Sequence, residues 1–194
     1  MSPAAAPARS GTSERRRVAL IDAATGVLVA EPGASLAAVA AAAGVGRTTL
    51  HSYFPNRGEL LRAVADRSLE LCDSVVAEAA GRSDPDGGLR ALVSALVPIG
   101  AHLAFLWRTP SFDHDPDLGP RRAAIEARIL EVVNKAKDAG AIAPGRPGWW
   151  DVLTLLALVY VASESIYAGR LAALDAPSLV LGTLSPPFSP GRGR

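Results

Sequence analysis

The chain is short of the residues that staple, coat or anchor a protein. One cysteine, Cys72, stands among 194 residues. That excludes an intrachain disulfide framework and a multi-cysteine zinc site, and it fits a reducing compartment. Charge of one sign is missing too: 20 Lys and Arg face 19 Asp and Glu, so no uniform basic coat for nucleic acid exists. The N-terminus lacks the apolar core of a secretory signal. The longest apolar run, Val152–Ala162 with Thr154 inside it, falls short of the roughly 20 residues of a membrane span. No glycine-rich phosphate loop, internal repeat or strand-like alternation is found. The expectation is a cytoplasmic protein without a membrane partner, catalytic site, metal or cofactor.

What is present is helical periodicity, punctuated by Gly and Pro. Residues 1–12 are Pro, Ala, Ser, Gly and Arg without period and read as a flexible arm. A first helix is expected from near Ser13, with Val18, Ile21, Leu28 and Val29 as its stripe, ended by Pro32 and Gly33. Ser35 is placed to cap a second helix through Leu36, Val39, Ala40 and Ala43. Gly44 supplies a turn, and a third helix follows, held by Val45, Leu50 and Phe54 and stopped by Pro55. Asn56 with Glu59 three residues on has the form of a capping box for a fourth helix, running to about residue 80. Asp84-Pro85 suits another helix start. Leu89–Trp107 reads as helical, with Pro98 kinking or dividing it. Residues 109–120 form an acidic loop. A further helix, through Ile125, Ile129, Val132, Val133 and Ala136, closes at Gly140. A long one runs from Trp149 to about Leu171, a short one from Asp175 to about Leu184, and residues 186–194 read as a flexible tail.

The segment 35–57 carries the chemistry. A short Ala-rich helix, a Gly turn and a second short helix bearing Arg, Thr, His, Ser and Tyr form the pattern of a helix-turn-helix whose second helix enters the DNA major groove. Charge distribution agrees: residues 1–67 hold three more basic than acidic side chains, which suits local phosphate contact.

Residues 14–65 resemble the DNA-binding domain of the tetracycline-repressor (TetR) family of bacterial transcription regulators. The resemblance rests on Val39–Val45, on Thr49-Leu50-His51-Ser52-Tyr53-Phe54 and on Asn56-Arg57-Gly58-Glu59-Leu60-Leu61. It departs from the family at His51, where Tyr is usual, and at Arg57, where Lys is usual; both family positions tend to hold phosphate. Arg47, Thr48 and Ser52 are expected at base edges, Arg as a guanine reader and Thr through its methyl on thymine. Thr49, Tyr53, Arg57 and the helix end at Ser35 are expected at phosphates; His51 can donate there, with a charge that depends on pH. Arg15, Arg16 and Arg17 would add contacts from the arm.

The resulting expectation is an all-α chain: a helix-turn-helix domain at 13–65, its fourth helix continuing as a connector, and a helical effector-binding and dimerisation domain at 66–185. The helix from Trp149 is apolar on several faces and needs partners on more than one side; a two-fold dimer through about residues 149–184 is the economical answer. The resemblance implies a four-helix bundle there. A pocket between helices is assigned His102, Phe105, Trp107, Phe112, Trp149, Tyr160 and Tyr167 as candidate lining, for a hydrophobic or aromatic effector. Asp113, His114, Asp115 and Asp117 lack metal-site spacing and read as a solvated loop. The functional expectation is a repressor released from a palindromic double-stranded operator by a small molecule. The alternatives are a DNA-binding dimer governed by a protein partner or used architecturally, and, remotely, a small helical enzyme.

Overall fold

A computed structural model describes residues 7–185. The expected tail, 186–194, and the first half of the expected arm lie outside them. The described residues are all-α and contain no strand. They divide into two compact units, the boundary falling between Ser68 and Leu69.

The first unit contains α1 (Pro7–Ala30), α2 (Leu36–Ala42), α3 (Arg47–Tyr53) and the first half of α4 (Arg57–Ala80). Helix α1 begins six residues before the Ser13 start expected from capping; Pro7 at its first position needs no donor there. Its buried stripe is Leu20, Ile21, Ala24 and Leu28 rather than one led by Val18 and Val29, which are half-buried. Leu20 and Ala24, an i, i+4 pair, fill positions that the spacing of large residues alone concealed. Val39 and Ala40 of α2, Leu50 of α3 with Phe54 after it, and Leu60 and Val64 of α4 complete this core.

Local chemistry sets the joints. Ser35 accepts the Ala38 amide at 3.2 Å, removing one of the unpaired donors at a helix start. Helix α2 ends in a Schellman turn: the Val45 amide returns to the Ala40 carbonyl and Gly44 to Ala41. Gly44 has φ +66, left-handed backbone that a Cβ would strain. Asn56 Oδ1 accepts the Glu59 amide at 2.9 Å while Asn56 Nδ2 donates to Glu59 Oε1 at 3.0 Å, a reciprocal start for α4.

The second unit contains the rest of α4 and α5 (Pro85–Leu96), α6 (Gly100–Trp107), α7 (Leu118–Asp138), α8 (Gly148–Tyr167) and α9 (Ala176–Leu184). A 3-10 turn, Val97–Ile99, divides α5 from α6, since Pro98 has no amide proton for the ladder. In the α4 half, Leu69, Cys72 and Val76 are buried, whereas Leu71 and Val75 are only half-buried. Helix α8 stops at Tyr167, four residues before the expected end, because Gly169 and Arg170 turn their amides back to Ile166 and Ser165. It packs against α5, α6, α7 and α9.

Two stretches, Pro85–Trp107 and Gly148–Tyr167, are long and apolar enough to cross a membrane by length and composition, a test that uninterrupted runs in the sequence did not meet. The first is core, with 61% of its apolar window buried; in the second only 33% is buried.

One polar clasp joins the ends of three helices. Asp151, on the first turn of α8, is fully buried. It accepts from Lys137 Nζ of α7 at 2.5 Å and from Arg146 Nε at 2.7 Å; Lys137 also donates to the Arg146 carbonyl, and Arg146 to the Leu184 carbonyl at the end of α9. Removing the carboxylate strands two cations. Asp151→Ala is expected to cost about 3–5 kcal/mol in urea unfolding, whereas Asp86→Ala, in an exposed pair with Arg90, costs about 0.5 kcal/mol. Equal costs would show that the clasp holds nothing.

Candidate nucleic-acid interface and helical cleft

Helix α3 has one buried side, Leu50, with Phe54 buried one turn on. Helical spacing then places Thr48 and Ser52 on the side away from it, with Thr49 and His51 on the flanks, while Arg47 and Tyr53, each three residues from Leu50, lie nearer its own side, Arg47 at the first residue of the helix. Arg47, Thr48 and Ser52 are exposed; Thr49, His51 and Tyr53 are half-buried. Ser52 donates to the Thr49 carbonyl at 2.7 Å, which leaves its oxygen as an acceptor. Tyr53 lies against Phe54 with ring centres 6.4 Å apart.

Two features were not drawn from the sequence. No Asp or Glu occurs between Glu31 and Glu59, while Arg47 and Arg57 lie within that stretch. An acid-free helix-turn-helix presents no charge repelling phosphate, and a count along the chain would have found it. Arg57 is a different matter. Its Nε donates to the Ala34 carbonyl at 3.3 Å and its Nη2 to the Pro32 carbonyl at 2.5 Å, tying the α1–α2 connection to the start of α4. A guanidinium carries five N–H donors, so others remain for a phosphate. Of the expected arm cations, Arg15, Arg16 and Arg17 are part of α1, where Arg17 pairs with Glu14 and stacks over Phe54 at 5.5 Å.

In the second unit a cleft of about 260 Å³ opens between α6 and α8. Leu103, Ala104, Trp107 and Arg108 form one wall, and Leu153, Leu156, Ala157 and Tyr160 the other. Its close helix approach depends on Gly100, where a Cβ would collide with the side chain of Ser163. The guanidinium of Arg108 stands 5.1 Å over the Tyr160 ring.

The seven aromatic and His candidates for a pocket do not gather. Trp107 and Tyr160 line the cleft. Phe105 and Phe112 are buried against each other at 5.4 Å and belong to the core. His102 is buried on the same short helix. Trp149 is 57% exposed and borders a separate groove with Ala127 and Leu130 of α7. Tyr167 is 92% exposed. An apolar ring type does not reveal which side of a helix faces a cavity, and the aliphatic and Arg108 contributions were missed for that reason.

Other chemistry-bearing residues are committed to structure. Asp113 pairs with Arg122 and Asp117 with Arg121, while Asp115 accepts the amides of Asp117 and Leu118 at the start of α7. No group of three or more His, Cys, Asp or Glu among the described residues is placed to hold a metal. Burial, and then neighbouring Asp73, push the Cys72 thiol up from 9.0 to about 12, so the thiolate nucleophile is scarce at neutral pH.

The family profile of the bacterial regulatory proteins, tetR family, matches residues 20–64, the span that holds α2, α3 and the acid-free face. Over 141 residues the chain is 40% identical to the HTH-type transcriptional repressor LfrR of Mycolicibacterium smegmatis (strain ATCC 700084 / mc(2)155), covering 72% of this chain and 74% of LfrR. The chain belongs to the TetR family. The crystal structure of LfrR from Mycobacterium smegmatis superposes with a TM-score of 0.72 at 32% identity, over 90% of this chain and 96% of that one. Its complex with proflavine gives 0.68 at 33% identity, over 89% and 96%. KstR2, a ketosteroid transcriptional regulator of Mycobacterium tuberculosis, shares the fold at 15% identity with a TM-score of 0.65, over 88% and 95%. TetR-family proteins are DNA-binding transcription regulators, not enzymes.

The brace at Arg57 is separable from DNA contact. Without DNA, Arg57→Ala is expected to lower stability by about 1 kcal/mol, the scale of a partly exposed hydrogen bond, read as a shift of the urea midpoint. Arg57→Lys, which cannot span both carbonyls with a fork, should recover little of it; full recovery by Lys would refute the brace.

Proposed function

We propose that this TetR-family chain is a dimeric repressor that reads a palindromic operator with α3 and is released by a small molecule bound in the α6–α8 cleft. The carrying observation is the exposed polar set of α3: Thr48 and Ser52 opposite buried Leu50, and Arg47 exposed at the helix start, in a stretch without acidic residues. Arg47 is assigned to guanine, Thr48 and Ser52 to neighbouring base edges. Thr49, Tyr53, the remaining donors of Arg57, the α2 end at Ser35, and His51 as a shorter donor are assigned to phosphates. In a dimer, two α3 helices meet successive major grooves about 34–36 Å apart or at a multiple of that spacing.

The dimer face is assigned to α8 and α9, within residues 149–184. Trp150, Leu153, Ala157 and Val161 are exposed at helical spacing along α8, and Leu179 is exposed on α9. An apolar stripe of this length on a folded unit calls for a partner. Leu153 and Ala157 also line the cleft, so a ligand there would touch residues of the proposed interface. Ligand binding in LfrR, crystallised with proflavine, is the precedent for an effector. A near-complete switch requires the ligand to favour the non-binding conformation by about 5.5 kcal/mol. Helix α4 carries the chain from one unit into the other. The regulator acts on DNA and is therefore placed in the cytoplasm.

Arg47→Ala is expected to cost about 1–3 kcal/mol on the operator and to relax preference at one base position in each half-site. Binding measured across single-base operator variants checks this; an unchanged preference profile removes Arg47 from the reading set. Val161→Glu is expected to yield monomers in sedimentation velocity and to lose operator affinity by at least about 100-fold through lost bivalency. A dimer that survives this change would place the interface elsewhere.

A further inference from the structure

The charge of the α6–α8 cleft is of one sign. Arg108, at the end of α6, is the single charged residue in its walls, and no Asp or Glu lines it. Its guanidinium rests on the Tyr160 ring and has no carboxylate partner among the described residues. Of the acidic residues on α8, Asp151 is engaged with Lys137 and Arg146, and Glu164, one turn beyond Tyr160, is exposed and does not line the cleft. Trp107 contributes its ring to the same wall, its Nε1 being shielded from solvent. Arg and Trp side chains donate and never accept. The remainder of the lining, apart from the Tyr160 hydroxyl, is aliphatic.

From this inventory we infer that the cleft takes an amphipathic organic anion: an aromatic body on Leu103, Leu156 and Tyr160, with one carboxylate on Arg108. The inference rests on the reading of the cleft as the effector site and gives that effector its chemical class. A carboxylate matches the guanidinium edge in a two-bond fork. The cation–π contact with Tyr160 consumes none of the guanidinium's N–H donors. A cation in the cleft would face Arg108 with no carboxylate in the walls to offset the repulsion. The volume of about 260 Å³ exceeds the ~150 Å³ that accommodates benzene, which leaves room for a second ring.

The test uses three probes with one two-ring body and different charge: 2-naphthoate, 2-naphthamide and 2-naphthylmethylammonium. Calorimetric titration of the full-length protein is expected to rank naphthoate first, about tenfold tighter than the amide, with the ammonium weakest. Arg108→Gln should bring the three within about threefold, and Arg108→Lys should keep the order at reduced spread. The indole N–H resonance of Trp107, assigned by its loss in Trp107→Phe, should move during the naphthoate titration while those of Trp149 and Trp150 stay. Ammonium binding equal to or tighter than naphthoate, or an order untouched by Arg108→Gln, overturns the anion inference and leaves the cleft as effector site. Binding that leaves the Trp107 resonance still, or no binding of any probe at millimolar concentration, overturns the effector cleft itself.

Discussion

Helix α8 carries more apolar surface than one side of a unit can cover, and the second unit is arranged around that constraint. Its inner stripe, Val152, Leu155, Leu156, Val159 and Ala162, is buried, and each of those side chains is worth about 1.5–3 kcal/mol when removed from water if it is Val or Leu. A second strip meets α6 across the cleft, made possible by the bare Cα of Gly100 against Ser163. A third, marked by Trp150 and Val161, stays exposed. Core, cleft and the proposed dimer face are thus adjoining strips of one helix, with Leu156 shared by the first two and Leu153 and Ala157 by the last two.

The register of that helix is held by charge. Asp151 is buried at its first turn with Lys137 and Arg146 as partners, and through Arg146 the end of α9 is drawn to the same point. Buried ion pairs contribute little net stability compared with apolar replacements, but a broken one is costly. The clasp therefore favours one arrangement of α7, α8 and α9 over slipped ones. Since α8 and α9 form the face assigned to the second copy, the geometry of that face depends on three charged side chains of the same unit.

The first unit solves a smaller problem by local means. Its caps and turn are each set by residues within a few positions of one another: Ser35 with Ala38, Gly44 with Ala41, Asn56 with Glu59. That is why the helix-turn-helix was legible residue by residue, together with its core at Leu50 and Phe54. Arg57 was not, because its carbonyl partners lie 23 and 25 residues earlier and nothing in a local pattern announces such a bond.

By itself, the sequence determined the helices, most of their stops, and the helix-turn-helix with its exposed polar set, because hydrophobic period, capping and turn chemistry act over a few residues. Extents failed where the deciding signal was weak, as with small Ala24 in α1 or the turn after Tyr167. Tertiary structure alone decided which aromatics line the cleft: Trp107 and Tyr160 do, whereas Phe105 and Phe112 pair in the core and Tyr167 points to solvent. It also decided that Arg108 stands beside Tyr160 and that Lys137 and Arg146 converge on Asp151. The physical reason is the same throughout. A helix period specifies which residues share a face, but only the crossing of one helix over another specifies what that face meets.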